Sequence, residues 1–350
     1  MLKSKKVLSM VFILAFLVSL VPGISAGAAY NLVWSDEFDG TSLNTANWVY
    51  DIGTGSSGWG NNELEYYTNR TQNVAVTGGN LVITALKESY GGMGYTSGRI
   101  KTLGKQSWTY GKIEARIKLP TGQGIWPAFW MLGSNMPTVG WPACGEMDIM
   151  EHVNNEGVTH GTMHWDYNGY QYYGGPSPAL DVTQYHVYSI EWNASAIKWF
   201  IDGTKYWEGN IANNINGTDE FHRPFFILLN LAVGGNWPGS PNSSTVFPAK
   251  MYVDYVRVYQ DAGSASGVTF YQHADYAGTA VTLPKGSYTM AQLNAKGIPN
   301  DWMSSLKVPS GWTVEVYQND NFTGTKWTFT SDTSYVGAAC NDQMTSVKIY

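Results

Sequence analysis

The chain has 350 residues, a formal net charge of −6 and only 14% charged residues, against 15 Trp, 23 Tyr and 39 Gly. An acidic, sparsely charged chain is poorly suited to holding nucleic acid or an anionic membrane surface, because neither supplies an attractive field. Such a composition suits a neutral glycan, whose pyranose faces lie on aromatic rings and whose hydroxyls bond amides, although many of the Trp belong to a β-sheet core.

Residues 1–26 read as a secretory signal. Lys3, Lys5 and Lys6 form the basic start, Val7 to Val21 the apolar stretch, and Ile24-Ser25-Ala26 or Ala26-Gly27-Ala28 the small-residue cleavage site. The apolar run is short and is broken by Pro22-Gly23, which disfavours a membrane anchor. The mature protein is therefore expected outside the cell, as a monomer and without a membrane partner.

From Tyr30 to Gln260, short alternating segments are separated by Gly, Asn, Asp and Pro turns. Asn80–Ala85, Gly111–Leu119, His186–Trp192, Ile197–Gly203 and Met251–Tyr259 read as strands, and Phe225–Asn230 as a buried one. No long amphipathic helix is legible. An all-β sandwich follows, with two stacked sheets bent into a groove that suits a polymer.

Within it stands Gly145-Glu146-Met147-Asp148-Ile149-Met150-Glu151-His152. Acids are seldom buried without a reason, and three here sit among large apolar side chains. Strand alternation puts Glu146 and Asp148 on one face and Glu151 on the other. A β-bulge at Ile149-Met150 returns Glu151 to the face of the other two. Two carboxyls about 5–5.5 Å apart hydrolyse a glycosidic bond with retention, and a third can shift their proton affinities apart. By spacing alone, a calcium site or a surface acid cluster fits as well.

Asp261–Gly267 is small and polar and reads as a linker. Residues 268–350 then repeat a pattern. Phe270–Thr279 parallels Val316–Thr325, and Asn300–Val308 parallels Asn341–Ile349. This is one β motif used twice. Its Asn-Asp-x-x-[Ser/Thr]-Ser runs offer hard oxygen ligands for calcium, or simply make turns. Cys144 and Cys340 fall in different parts of the chain and are expected to be free.

Residues 30–260 resemble glycoside hydrolase family 16, of the laminarinase type. The resemblance rests on Trp34–Gly40, Gly60–Tyr67, Gly124–Leu132, the acidic strand and Asn230–Gly239. It implies a β-jelly-roll sandwich with a curved cleft, and an endo-β-1,3-glucanase acting on laminarin-type β-glucan. Glu146 would be the nucleophile, Glu151 the general acid/base, and Asp148 the modulator of their protonation. Asn61, Arg99, Trp126, Trp130, His164 and Trp237 would bind sugar. A structural calcium would be held by the backbone carbonyls of Glu37 and Gly79 and the side chain of Asp254. Residues 268–350 resemble a βγ-crystallin domain with two Greek keys, which makes Asp301, Ser304, Asp342 and Thr345 candidate calcium ligands. The chemistry would need no cofactor, and calcium would be structural.

Overall fold

Runs of β-branched and aromatic residues that alternate in polarity form strands because a pleated sheet buries one face and wets the other. The computed structural model describes residues 30–261, 267–309 and 311–350. The expected signal at 1–26 and residues 262–266 of the expected linker lie outside the described residues. The strand Ala249–Asp261 pairs Asp261 with Tyr30, so it continues one residue past the boundary expected at Gln260. Its antiparallel partner Tyr30–Asp36 supplies the backbone groups that extend it.

Residues 30–261 form two antiparallel-dominated sheets stacked as a β-jelly roll. The outer sheet has ten strands, with His186–Trp192, Gly111–Lys118, Ala249–Asp261 and Asn80–Tyr90 side by side at its centre. Two of its hairpins close through two-residue turns, Gly78-Gly79 and Asp202-Gly203, all four residues at positive φ. That mirror-image turn matches the right-handed strand twist.

The inner sheet has seven strands. In spatial order they are the edge strand Tyr170–Pro176, the histidine strand His160–Asp166, the acidic strand Glu146–Glu151, the tryptophan strand Ile125–Gly133, the apolar strand Phe225–Val233, then Arg99–Lys101 and Val49–Tyr50. Phe129, Met131, Ile149 and Met150 of this sheet pack in one core with Ile113, Ile190, Trp199 and Val256 of the outer sheet. Each such side chain contributes about 1.5–3 kcal/mol on burial. The opposite faces of the same inner strands are thereby presented to the cleft. No helix among the described residues is long and apolar enough to cross a membrane.

Residues 268–350 have a separate core that includes Phe270, Leu306, Val316 and Val347. The strands form a three-stranded and a four-stranded sheet. Gly286–Tyr288, from the first repeat, pairs with Ser346–Ile349 in the second sheet. Leu306 of the first sheet in turn bridges Thr333 of the second repeat. The repeats match in detail. Ser305 Oγ donates to His273 O at 2.6 Å and accepts from Tyr276 N at 3.1 Å. Ser346 Oγ does the same with Asn319 O and Phe322 N at 2.7 and 3.0 Å. Cys144 and Cys340 are buried and free, as the sequence led us to expect.

Candidate active site

The acidic strand shifts register against the tryptophan strand between Asp148 and Met150, and against the histidine strand between Asp148 and Glu151. Ile149 and Met150 are both buried in the core between the sheets. The apolar pair is thus the bulge, and its burial offsets the lost ladder pairing. Trp199, reaching from the outer sheet, donates its indole N–H to Asp148 O at 2.8 Å and satisfies a carbonyl at the bulge. As a result Glu146, Asp148 and Glu151 all line one cleft of about 1080 Å³.

Their surroundings favour protons. Burial, then the neighbouring Asp148, pushes Glu146 up to about 8. Burial raises Asp148 to about 8, against a hydrogen bond from Glu146. Burial and both other acids hold Glu151 well above the ordinary carboxylate range. His164 opposes this. Its Nε2 lies 2.9 Å from Asp148 Oδ2 and 3.8 Å from Glu146 Oε1, and its positive field lowers both Glu146 and Glu151. The three carboxyls therefore do not ionise independently of one another.

All six expected sugar-binding residues line the same cleft. Trp126 donates its indole N–H to Glu151 Oε1 at 3.0 Å, and Trp237 packs edge-on against Trp126 at 5.6 Å. Trp130 donates to Asn230 Oδ1 at 2.7 Å. Arg99 stacks over Trp59 and Trp130 while its Nε donates to the buried Asp51 at 3.0 Å. Arg99 thus lines the cleft and is paired with an acid at the same time. Asn61 accepts from Asn236 N at 2.8 Å, which ties its loop to the one carrying Trp237.

Residues 61–257 match the family described as glycosyl hydrolases family 16. The chain belongs to glycoside hydrolase family 16. It is 44% identical over 273 residues to a beta-glucanase of Rhodothermus marinus, covering 70% of this chain and 93% of that one. It is 48% identical over 242 residues to the clotting factor G alpha subunit of Tachypleus tridentatus, but spans only 35% of that protein against 68% of its own length. Among solved structures, the catalytic domain of an endo-1,3-beta-glucanase (laminarinase) from Thermotoga petrophila superposes with a TM-score of 0.61. The identity there is 44%, over 67% of this chain and 100% of that one.

The family 16 site includes residues to which the sequence reading gave no role. Glu63 accepts from Tyr67 Oη at 2.9 Å, and Asn230 Nδ2 donates to the same phenol oxygen at 3.2 Å. Fully buried Glu65 accepts from Val233 N at 2.6 Å, and burial together with Glu63 raises it well above the usual carboxylate range. This buried network supports Trp130 from below. The acid-x-acid spacing of Glu63-Leu64-Glu65 was its only local signal. Trp141, Tyr170 and Tyr172 also line the cleft.

The expected metal ligands fall in two places. Asp254 sits at a register shift in Ala249–Asp261, between positions paired near the Glu37 and Gly79 segments. Its Oδ2 accepts from Arg116 at 2.7 Å, and the Glu37 carboxylate is bound by Arg257 through two N–H groups at 2.9 and 2.8 Å. Asp301 and Asp342 occupy equivalent turns, each at φ 53 and each accepting from the preceding Asn amide at 2.8 Å. Ser304 Oγ donates to Gln272 O at 2.9 Å, and Thr345 N donates to Tyr317 O at 3.0 Å. Among the described residues, the cluster of acids and His with metal-like spacing is Glu146, Asp148 and His164 in the cleft, and it includes none of the expected calcium ligands.

Proposed function

We propose that this family 16 glycoside hydrolase is a secreted, monomeric endo-β-1,3-glucanase that cleaves laminarin-type chains by double displacement. The observation that carries this reading is the bulge at Ile149-Met150, which gathers Glu146, Asp148 and Glu151 in one cleft beside His164. The Glu146 carboxylate attacks the anomeric carbon as the bond to the leaving oxygen breaks, and Glu151 gives that oxygen its proton. Water then enters, Glu151 takes one of its protons, and the oxygen displaces Glu146 with overall retention.

The two acids need opposite protonation at one pH. Asp148, hydrogen-bonded with Glu146, holds the proton that the pair shares, which leaves Glu146 as the carboxylate, and His164 stabilises that charge. Glu151 keeps its proton because burial and the other two acids hold it there. The indole N–H of Trp126 orients its carboxyl.

Calcium belongs to this reading as a structural ion. Near Asp254 the donors are backbone carbonyls of Glu37 and Gly79 and a carboxylate shared with Arg116. In residues 268–350, read as a βγ-crystallin-like double Greek key, oxygen donors of Asp301, Ser304, Asp342 and Thr345 suit a hard cation.

The test is product analysis on laminarin and on barley mixed-linkage glucan, with Glu151→Ala as control. Short oligosaccharides from laminarin, absent in the variant, are the expected result. Release only from the mixed-linkage polymer would replace the linkage and keep the chemistry. Hydrolysis of neither would overturn the glucanase reading.

A further inference from the structure

The cleft carries aromatic surface that the double displacement leaves without a task. His164 and Tyr172 are cross-strand partners, and Tyr170 lies two residues along the same face of the edge strand. Their ring centroids are 5.7 Å (His164 to Tyr170), 6.0 Å (Tyr170 to Tyr172) and 6.4 Å (His164 to Tyr172) apart. The corresponding interplanar angles are 9°, 21° and 29°. Three rings in a single column would place the outer two at about twice the neighbour spacing. A closed triangle of near-parallel rings instead makes one contiguous aromatic patch. Trp141, following the short helix Met136–Val139, adds an indole 5.1 Å from Tyr170.

This surface is wet. Tyr172 is 68% exposed, Trp141 51% and Tyr170 49%. Single exposed aromatics need no explanation, but a contiguous patch on a cleft wall is costly to leave against water and marks a binding surface. Trp141, Tyr170 and Tyr172 carry no charge, and the carboxyls of Glu146 and Asp148 lie just beyond His164, so the exposed rings offer no ion pair to an anionic ligand. A flat neutral ring with polar edges fits best.

The patch is also joined to the acids. Tyr170 Oη lies 2.8 Å from His164 Nδ1, and the other ring nitrogen of His164 faces Asp148. The Tyr170 hydroxyl thereby fixes which way the imidazole faces, as an outer partner does for a catalytic His.

We propose that Trp141, Tyr170 and Tyr172 form a binding platform for one pyranose ring of the glucan, across the acidic strand from Trp126 and Trp130, and that Tyr170 also positions His164. This rests on the glucanase reading above. Tyr172 acts through substrate affinity. Tyr170 acts through both affinity and the orientation of the imidazole.

Binding is measured by calorimetry with laminarihexaose in the full chain carrying Glu146→Gln, so that the ligand survives. Adding Tyr172→Ala is expected to weaken binding roughly five- to tenfold, the scale of one lost aromatic contact. Adding Tyr172→Trp, which keeps a flat ring, restores it. In the otherwise unaltered enzyme, Tyr170→Phe keeps the ring and removes the hydroxyl, so kcat on laminarin falls severalfold while KM stays put. Equal affinity of the Tyr172→Ala and parent proteins would overturn the platform while leaving the glucanase reading intact. A Tyr172→Trp protein as weak as Tyr172→Ala would overturn ring stacking. Unchanged kcat in Tyr170→Phe would overturn the positioning role. Failure of the parent to bind laminarihexaose at all would remove both the β-1,3-glucan reading and the platform as its subsite.

Discussion

The acidic strand and the repeated turns of residues 268–350 use the same residue types to opposite ends. On the strand, Asp148 is 2% exposed and faces two further carboxyls. In the turns, Asp301 and Asp342 are exposed and each takes its own neighbour's amide. Burying a carboxyl against like charge is expensive, and a fold keeps such an arrangement where the shifted proton affinity is useful. An acid in an exposed turn costs little and shapes the backbone by bonding locally. The difference is one of environment and not of composition, and it can be probed from both sides.

The largest effect is expected on turnover. Glu146→Gln should abolish measurable laminarin hydrolysis while glucan binding persists. Glu151→Ala should lower kcat by about 10²–10⁴-fold, the range of a lost general acid. The same steady-state assay on Asp301→Asn or Asp342→Asn should give values near the parent's. A comparable loss there would erase the contrast.

A second effect concerns pH. Folded Asp148 holds its proton up to about pH 8, whereas the unfolded group releases it near the ordinary value of 3.8. Between those limits the native state binds more protons, so stability falls as pH rises through the window. Asp148→Asn removes that share. Melting temperatures measured from pH 4 to pH 9 should fall less steeply for the variant, with the gap widest at the alkaline end. Parallel curves would show that the burial of Asp148 does not couple to its proton.

Calcium comes third. A bound ion at a hundred times its Kd adds about 2.7 kcal/mol to the folded state. Chelation of the full chain should therefore lower the transition of residues 268–350 in scanning calorimetry, and calcium should restore it. Identical scans would remove the metal from those turns. The smallest effect sharpens the description of the turns themselves. Ser305→Ala and Ser346→Ala each unpair a part-buried backbone N–H and carbonyl, at about 1 kcal/mol. The two losses should be nearly equal, because the two hydroxyls make the same pair of bonds.

What the sequence made legible follows physical range. The bulge was readable because Ile149-Met150 breaks a two-residue alternation within a single strand. The duplication was readable because its hydroxyl and glycine positions recur in order. The support beneath Trp130 was not, since it joins Glu63, Tyr67 and Asn230 across separations as long as 163 residues. No local pattern marks such a pairing. The platform on the edge strand escaped for a related reason. Tyr170 and Tyr172 are ordinary strand residues until the register sets Tyr172 opposite His164. The strand expected at Met251–Tyr259 runs two residues further at each end, to Ala249 and Asp261, because strand length depends on its partners.

The exchange of strands between the two repeats ties the folding of each to the other. Each repeat alone would leave a gap in its sheet where the other now sits. A lone copy could close that gap only with a second copy, in a pair whose folding would depend on its own concentration. Carrying both copies on one chain replaces that dependence with a fixed local concentration.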